Sequence, residues 1–188
     1  MTPKPVSSSH VTISQIMQPG DANFLGKVFG GVVLSMCDLA AYASATKFAG
    51  NICVTASLDR VDFLKPIDLG ELVTLDARVS YVGRTSVEVT IDVRAENIYT
   101  GESRHTNRAR MTMVAIKDGK PTEVPRLICE TREEKILYIE GKLKRELRGM
   151  RQYMIEDLVS TLEHAPDREL DALIAKERLT DENHQLLK

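Results

Sequence analysis

The sequence predicts an α+β fold: an antiparallel sheet curved around one long central helix, with a helical extension behind it. Three observations carry this reading. The stretch 23–48 ends in an apolar run of helix-forming character that includes Ala40, Ala41, Ala43 and Ala45. Residues 71–117 alternate apolar and polar positions in period two, as half-buried strands do. Past Pro125, Glu, Lys, Arg and Leu dominate, with an apolar residue every three or four positions, which marks an amphipathic helix. A chain of 188 residues, 43% hydrophobic, suits one domain with a proper core plus an extension.

Residues 1–9 are polar and rich in Pro and Ser, and read as loose. Residues 10–17 alternate Val11, Ile13 and Ile16 with polar neighbours as a short strand, broken by Pro19-Gly20-Asp21. A loop with Gly26, Gly30 and Gly31 leads into the helix, expected over 31–48 and stopped by Gly50-Asn51. Residues 52–65 read as a strand in which Val54, Ala56 and Leu58 share a face. Its phase slips near Arg60, as a bulge would cause. Strands at 71–82 and 87–95, linked by Gly83-Arg84-Thr85, form a hairpin. A further strand spans 104–117, with Ala109, Met111, Met113 and Ala115 on one face, and Asp118-Gly119 closes it. The sheet should turn its apolar face to the helix and its polar face outward. Its open edges predict pairing of two copies. In the tail, Ile136, Ile139, Leu143, Leu147, Met150, Met154, Leu158 and Leu162 form the helical stripe of 131–163. Asp167 is placed to cap a last helix carrying Leu170, Leu173 and Ile174.

A net charge of −2 gives no reason to expect nucleic acid or an anionic membrane as partner. Cys37, Cys53 and Cys129 form no CxxC pair, which fits a reducing compartment and argues against a disulfide framework or a zinc site. The N-terminus lacks the apolar core of a signal peptide, and no apolar run is long enough to span a bilayer. A soluble, cytoplasmic protein is expected.

Asp38 stands out, because an ionised carboxylate in an apolar helix is unfavourable unless paired, hydrogen-bonded or wet. It is either a general base or nucleophile, or a structural acid tied to a core donor. Asn23 is a donor for a carbonyl or water, or a turn former. Phe29-Gly30-Gly31 either presents backbone N–H groups to an oxyanion or makes a tight turn. Gly83-Arg84-Thr85-Ser86 offers a cation, hydroxyls and N–H groups that suit a phosphate, or is an ordinary solvated turn. Lys65, Arg108, Arg110 and Arg126 are further cations for a polyanionic ligand, or solvated charges. His10, His105, His164 and His184 lack the spacing of metal ligands or a catalytic dyad. No GxSxG, HExxH, P-loop or dinucleotide fingerprint occurs.

In order, the segments PGDANFLGKVFGGVVLSMCDLAA, VDFLKPIDLGELV, VSYVGRTSVEV and MVAIKDGKP resemble the bacterial acyl-coenzyme A thioesterases of the hotdog fold, in the branch of the cytosolic acyl-CoA hydrolases. The resemblance covers about residues 9–127, which it makes the catalytic domain, with 128–188 as a helical extension. It implies hydrolysis of acyl-CoA in lipid metabolism, with no metal and no cofactor beyond the coenzyme A of the substrate. It also implies dimers with a continuous sheet, assembled as trimers of dimers. The implied catalytic residues are Asn23, Asp38, Gly30 and Gly31, with Asn23 of one subunit beside Asp38 of the other. The implied substrate-binding residues are Arg84, Thr85, Ser86, Lys65 and Phe29. A hydratase of acyl thioesters and a non-enzymatic acyl-CoA sensor remain as alternatives. The first lacks a His between His10 and His105, and the second lacks a basic recognition helix.

Overall fold

The central helix α1 (Gly30–Ala49) begins after Phe29, whose backbone is extended, and ends at Gly50, whose φ of 69° favours glycine. The computed structural model describes residues 1–59 and 61–176; Arg60 and His184, both singled out above, lie outside the described residues. Two compact units emerge, Met1–Lys142 and Leu143–Lys188.

In the first unit a sheet wraps α1. Its strands are β2 (Val11–Ile16), β3 (Ile52–Leu58), β4 (Asp62–Phe63), β5 (Leu72–Val82), β6 (Ser86–Asn97), β7 (Glu102–Lys117) and β8 (Lys120–Pro121). The order is β2-β5-β6-β7-β3, with β4 and β8 also on β7. Every pairing in this sheet is antiparallel. The α+β architecture expected from the sequence is therefore present. The inward phase of β5 and β6 (Val73, Leu75, Val79, Val87, Val89, Ile91, Val93) is wholly buried against α1, which contributes Ala40, Ala41, Ala45 and Phe48. Each such Val or Ile contributes about 1.5–3 kcal/mol by leaving water.

Several expectations are corrected. The N-terminus is not loose. Lys4–Pro5 (β1) pairs in parallel with β9 (Leu127–Ile128), and Val6–Ser9 form a 3-10 turn. Ser9 Oγ accepts from the Val79 N–H at 2.9 Å, and Ser44 Oγ donates to Ser9 O at 2.8 Å. Short polar residues that look disordered by composition here satisfy buried backbone groups. In β2 the buried residue is Met17, just past the strand, while Ile16 is exposed. The expected 52–65 strand is two strands. A register shift falls between Thr55 and Ser57.

The apolar phase of β3 also faces away from the core: Ile52 and Val54 are 62% and 47% exposed, whereas Cys53 is buried. The outer face of the sheet is not simply solvated either. Glu88, Thr90, Asp92 and Arg110 are buried there. The first turns of α2 (Arg132–Leu162) bring Glu140 within 2.7 Å of Arg110, and the Tyr138 ring 5.1 Å from that of Tyr81. Leu137 and Gly141 are the buried residues of α2, in place of the expected Ile136 and Ile139, which are exposed. A Cβ on Gly141 would lie 2.6 Å from that of Tyr81, so only glycine allows this approach. Thr131 and Glu134 cap α2 reciprocally.

In the second unit α2 runs on to Leu162 and α3 (Asp167–Ile174) follows. Pro166 is the N-cap of α3. Asp167 is its first helical residue, where the carboxylate meets the helix dipole rather than capping by hydrogen bond. No helix among the described residues is long and apolar enough to cross a membrane.

Candidate active site

The loop before α1 is built around Asn23. Its Oδ1 accepts from the N–H groups of Leu25 (2.9 Å) and Lys27 (3.1 Å), and its own N–H donates to Lys27 O at 2.7 Å. Gly26 permits the turn with φ of 70°. The turn-forming reading of Asn23 is therefore correct for its oxygen. Among the described residues its Nδ2 group donates to nothing, which leaves an amide donor for a ligand. An aspartate would keep the turn and lose that donor.

The helix entrance is fixed by Phe29 N–H on Asp21 O (2.7 Å) and Val28 N–H on Ile67 O (2.9 Å). The first N–H groups of a helix have no intrahelical partner. Those of Gly30 and Gly31 meet no acceptor among the described residues. A Cβ at Gly30 would press on the Phe63 ring at 3.2 Å, and one at Gly31 would overlap the exposed Phe29 ring at 2.3 Å. Glycines thus let the Phe29 and Phe63 rings pack against the helix start.

Asn23, Gly30, Val33, Phe63, Lys65 and Asn107 line one pocket of about 400 Å3. The loop on its far side is braced by Arg104, whose Nη1 and Nη2 donate to Glu71 at 2.6 and 2.7 Å and whose Nη2 also reaches Pro66 O at 2.8 Å. Glu71 in turn accepts from the Asp68 N–H (2.8 Å), and Lys27 pairs with Asp68. The Arg104 bonds hold the Glu71 carboxyl below its usual range. On the outer face burial pushes Asp92 up, but Arg108, Arg78 and His105 outweigh it and leave that carboxyl lowered too. Carboxyls lowered by folding contribute stability that is complete above their unfolded values, near 4.5 and 3.8, and lost as pH falls through the folded values. Glu71→Gln should therefore cost about 1.5–2 kcal/mol at pH 7, since Arg104 keeps Pro66 O and the amide oxygen as acceptors but loses the carboxylate charge. Thermal unfolding from pH 7 to pH 3 should show that gap to wild type closing on acidification; a gap constant with pH contradicts the pairing.

Asp38 lies two turns into α1, half-buried, outside this pocket. Its Oδ1 accepts from Thr55 Oγ1 at 2.5 Å. Thr55 was not singled out in the sequence, since a threonine in strand alternation looks like a polar-face residue. The adjacent Cys37 thiol is pushed up to about 11 by burial and stays protonated. The Arg84-Thr85-Ser86 turn is held by Thr85 O on the Ala115 N–H (3.0 Å) and Arg84 O on the Val124 N–H (3.1 Å). Ser86 pairs with Val114, which pairs with Val54 near the start of β3, so this turn sits by the C-terminal end of α1. A helix of 20 residues is about 30 Å long, so one chain does not bring the turn to the Gly30 end. Within one chain, then, Asn23, Gly30 and Lys65 share a pocket, Asp38 stands apart with Thr55, and Arg84 stands at the opposite end. His105 faces Asp92 (3.3 Å), and among the described residues no histidine lines the pocket. Among the described residues no cluster of His, Cys, Asp and Glu is placed to hold a metal.

Comparison with known proteins gives this geometry a family. Residues 25–102 match the model of the Thioesterase superfamily. Protein VdlD of Helicobacter pylori is 42% identical over 76% of this chain and 81% of its own. A crystal structure of an apo-hexameric acyl-CoA thioesterase superposes with a TM-score of 0.78, at 38% identity, over 81% of this chain and 98% of that one. An acyl-CoA hydrolase from Staphylococcus aureus, solved with butyryl coenzyme A, coenzyme A and coenzyme A disulfide, has a TM-score of 0.75 at 33% identity, over 86% and 99%. Variants of that hydrolase with an asparagine, an aspartate or a threonine replaced by alanine have also been solved. The chain belongs to the thioesterase superfamily and has its hotdog fold.

Proposed function

We propose that the protein hydrolyses acyl-CoA thioesters at a site completed by two copies of the chain. The observation that carries this is the separation of parts: donors without acceptors at Asn23, Gly30 and Gly31, and a carboxylate held by Thr55 beside an exposed apolar edge strand. Pairing of two β3 edges would extend the sheet and bring Asp38 of one copy to Asn23 of the other. The S. aureus variants support the residue set, because their three positions have the same sequence spacing as Asn23, Asp38 and Thr55 here.

In this reading the thioester carbonyl oxygen receives the Gly30 and Gly31 N–H groups, where the helix dipole favours the developing charge. Water held between Asn23 Nδ2 and Asp38 gives its proton to Asp38 as its oxygen bonds to the carbonyl carbon. The C–S bond then breaks, and the coenzyme A thiolate takes up the proton. Attack by Asp38 itself, through an anhydride, is the variant of this scheme. Thr55 orients the carboxylate. Lys65 lines the pocket and the exposed Phe29 ring stands against Gly31, while Arg84, Thr85 and Ser86 of another copy meet the phosphates. In this reading dimers assemble in threes to provide those contacts, and the hexameric state of one relative supports it. Water is the only co-reactant. Three free thiols fit the reducing cytoplasm. The test is thiol release by the pure protein across acyl-CoAs of rising length; no release with any of them contradicts the reading.

A further inference from the structure

The inward phase of β7 runs through Ala115, Met113, Met111 and Ala109, all buried apolar residues against α1. Two positions further back it continues at Asn107, an amide that is 0% exposed. Its Nδ2 donates to Asp62 O at 3.3 Å, which fixes which way the amide points. Its Oδ1 is buried and meets no donor among the described residues. A buried acceptor left unpaired opposes folding, and native chains seldom keep one without a use. Leucine has nearly the same shape and would remove that penalty, losing only the long 3.3 Å bond to Asp62 O. Asn107 is also one of the residues lining the pocket that holds Asn23 and Gly30. The rest of that lining is mostly apolar (Val28, Val33, Phe63, Ile67), with Asn23 holding its own oxygen in the turn. An incoming N–H or O–H therefore has few acceptors to choose from.

We propose that Asn107 Oδ1 is an acceptor reserved for the occupied site: it takes a hydrogen bond from a donor that arrives only with substrate, either an amide N–H of the pantetheine arm or the attacking water. This rests on the acyl-CoA hydrolase reading of the same pocket. Folding stability is sacrificed in the empty protein, and the acceptor is satisfied when the pocket fills. The role is one of binding or positioning, because no proton is transferred to the amide.

Asn107→Leu separates this from a structural role. The variant should unfold at the wild-type temperature or above it, while kcat/KM for acyl-CoA falls about tenfold, the scale of one lost hydrogen bond in a dry site. Asn107→Asp, as the neutral acid, keeps a donor for Asp62 and an acceptor for the ligand, and should recover most of the activity at the acid end of the pH profile. Calorimetry with coenzyme A then assigns the donor. Weaker binding by Asn107→Leu points to the pantetheine amide; unchanged binding with lower kcat points to the water. Wild-type kcat/KM in Asn107→Leu, or a loss of activity accompanied by a clear fall in unfolding temperature, overturns the proposal. With a wild type that releases thiol, that result leaves the hydrolase reading intact; a wild type that releases none removes both.

Discussion

Asp38→Asn should leave a folded protein whose kcat is lower by about a hundred- to ten-thousandfold, the range supplied by a positioned general base. Asparagine keeps the volume and an acceptor for the Thr55 hydroxyl, so the 2.5 Å contact survives in kind. What disappears is the ability to take a proton. The thiol-release assay gives the rate, and the unfolding temperature shows that the fold is unharmed. KM should change little, because the carboxylate acts on water rather than holding the substrate. A kcat within a few-fold of wild type would assign Asp38 to the bland role its sequence also allows, a helix acid tied to a neighbouring hydroxyl.

A single charge on the edge strand should have an effect of similar size through a different cause. Val54 projects from the same face of β3 as Ile52, both exposed in the isolated chain, whereas the bulge after Thr55 turns Leu58 to the other face, in register with Met111; α1 exposes Leu39 and Tyr42. Apolar edges of this kind pair readily, and lysine is the residue that natural edge strands use to prevent it. Val54→Lys is expected to elute as a monomer on size-exclusion chromatography, to keep its circular dichroism, and to lose at least about a hundredfold in activity. That loss follows from separating Asn23 of one copy from Asp38 of the next. A monomer with full turnover would place a complete site within one chain.

The periodic parts of this fold were legible in the sequence for a plain reason. In α1, β5, β6 and β7 one face is buried, and burial imposes a period on side-chain type. Legibility failed where burial came from another source. Residues 1–9 look disordered by composition, yet Ser9 and Lys4 anchor them through hydrogen bonds that no periodicity reports. The outer face of β6 reads as solvated because Glu88, Thr90 and Asp92 are polar, but α2 and Arg110 cover it. In β3 the apolar phase was assigned to the core, whereas the polar phase faces α1 and supplies Thr55. In the proposed reading this reversed phase serves pairing with a second copy. Asn107 also left a signal, a polar amide in phase with Ala109 and Met111. Asn23 and Asp38 stand out in the sequence by residue type, and only the family resemblance pairs them across two subunits; within one chain Asn23 lines the pocket while Asp38 lies outside it beside Thr55.

Subunit mixing tests that joint arrangement most directly. Asn23→Asp keeps the loop turn but removes the amide donor, and Asp38→Asn removes the base, so each parent alone should be nearly inactive. Co-refolded in equal amounts with random pairing, half of the dimers combine the two variants, and each of these carries one intact site. The mixture should recover roughly a quarter of wild-type activity. A mixture as inactive as its parents, although shown by mass to contain mixed dimers, would contradict a site shared between two copies.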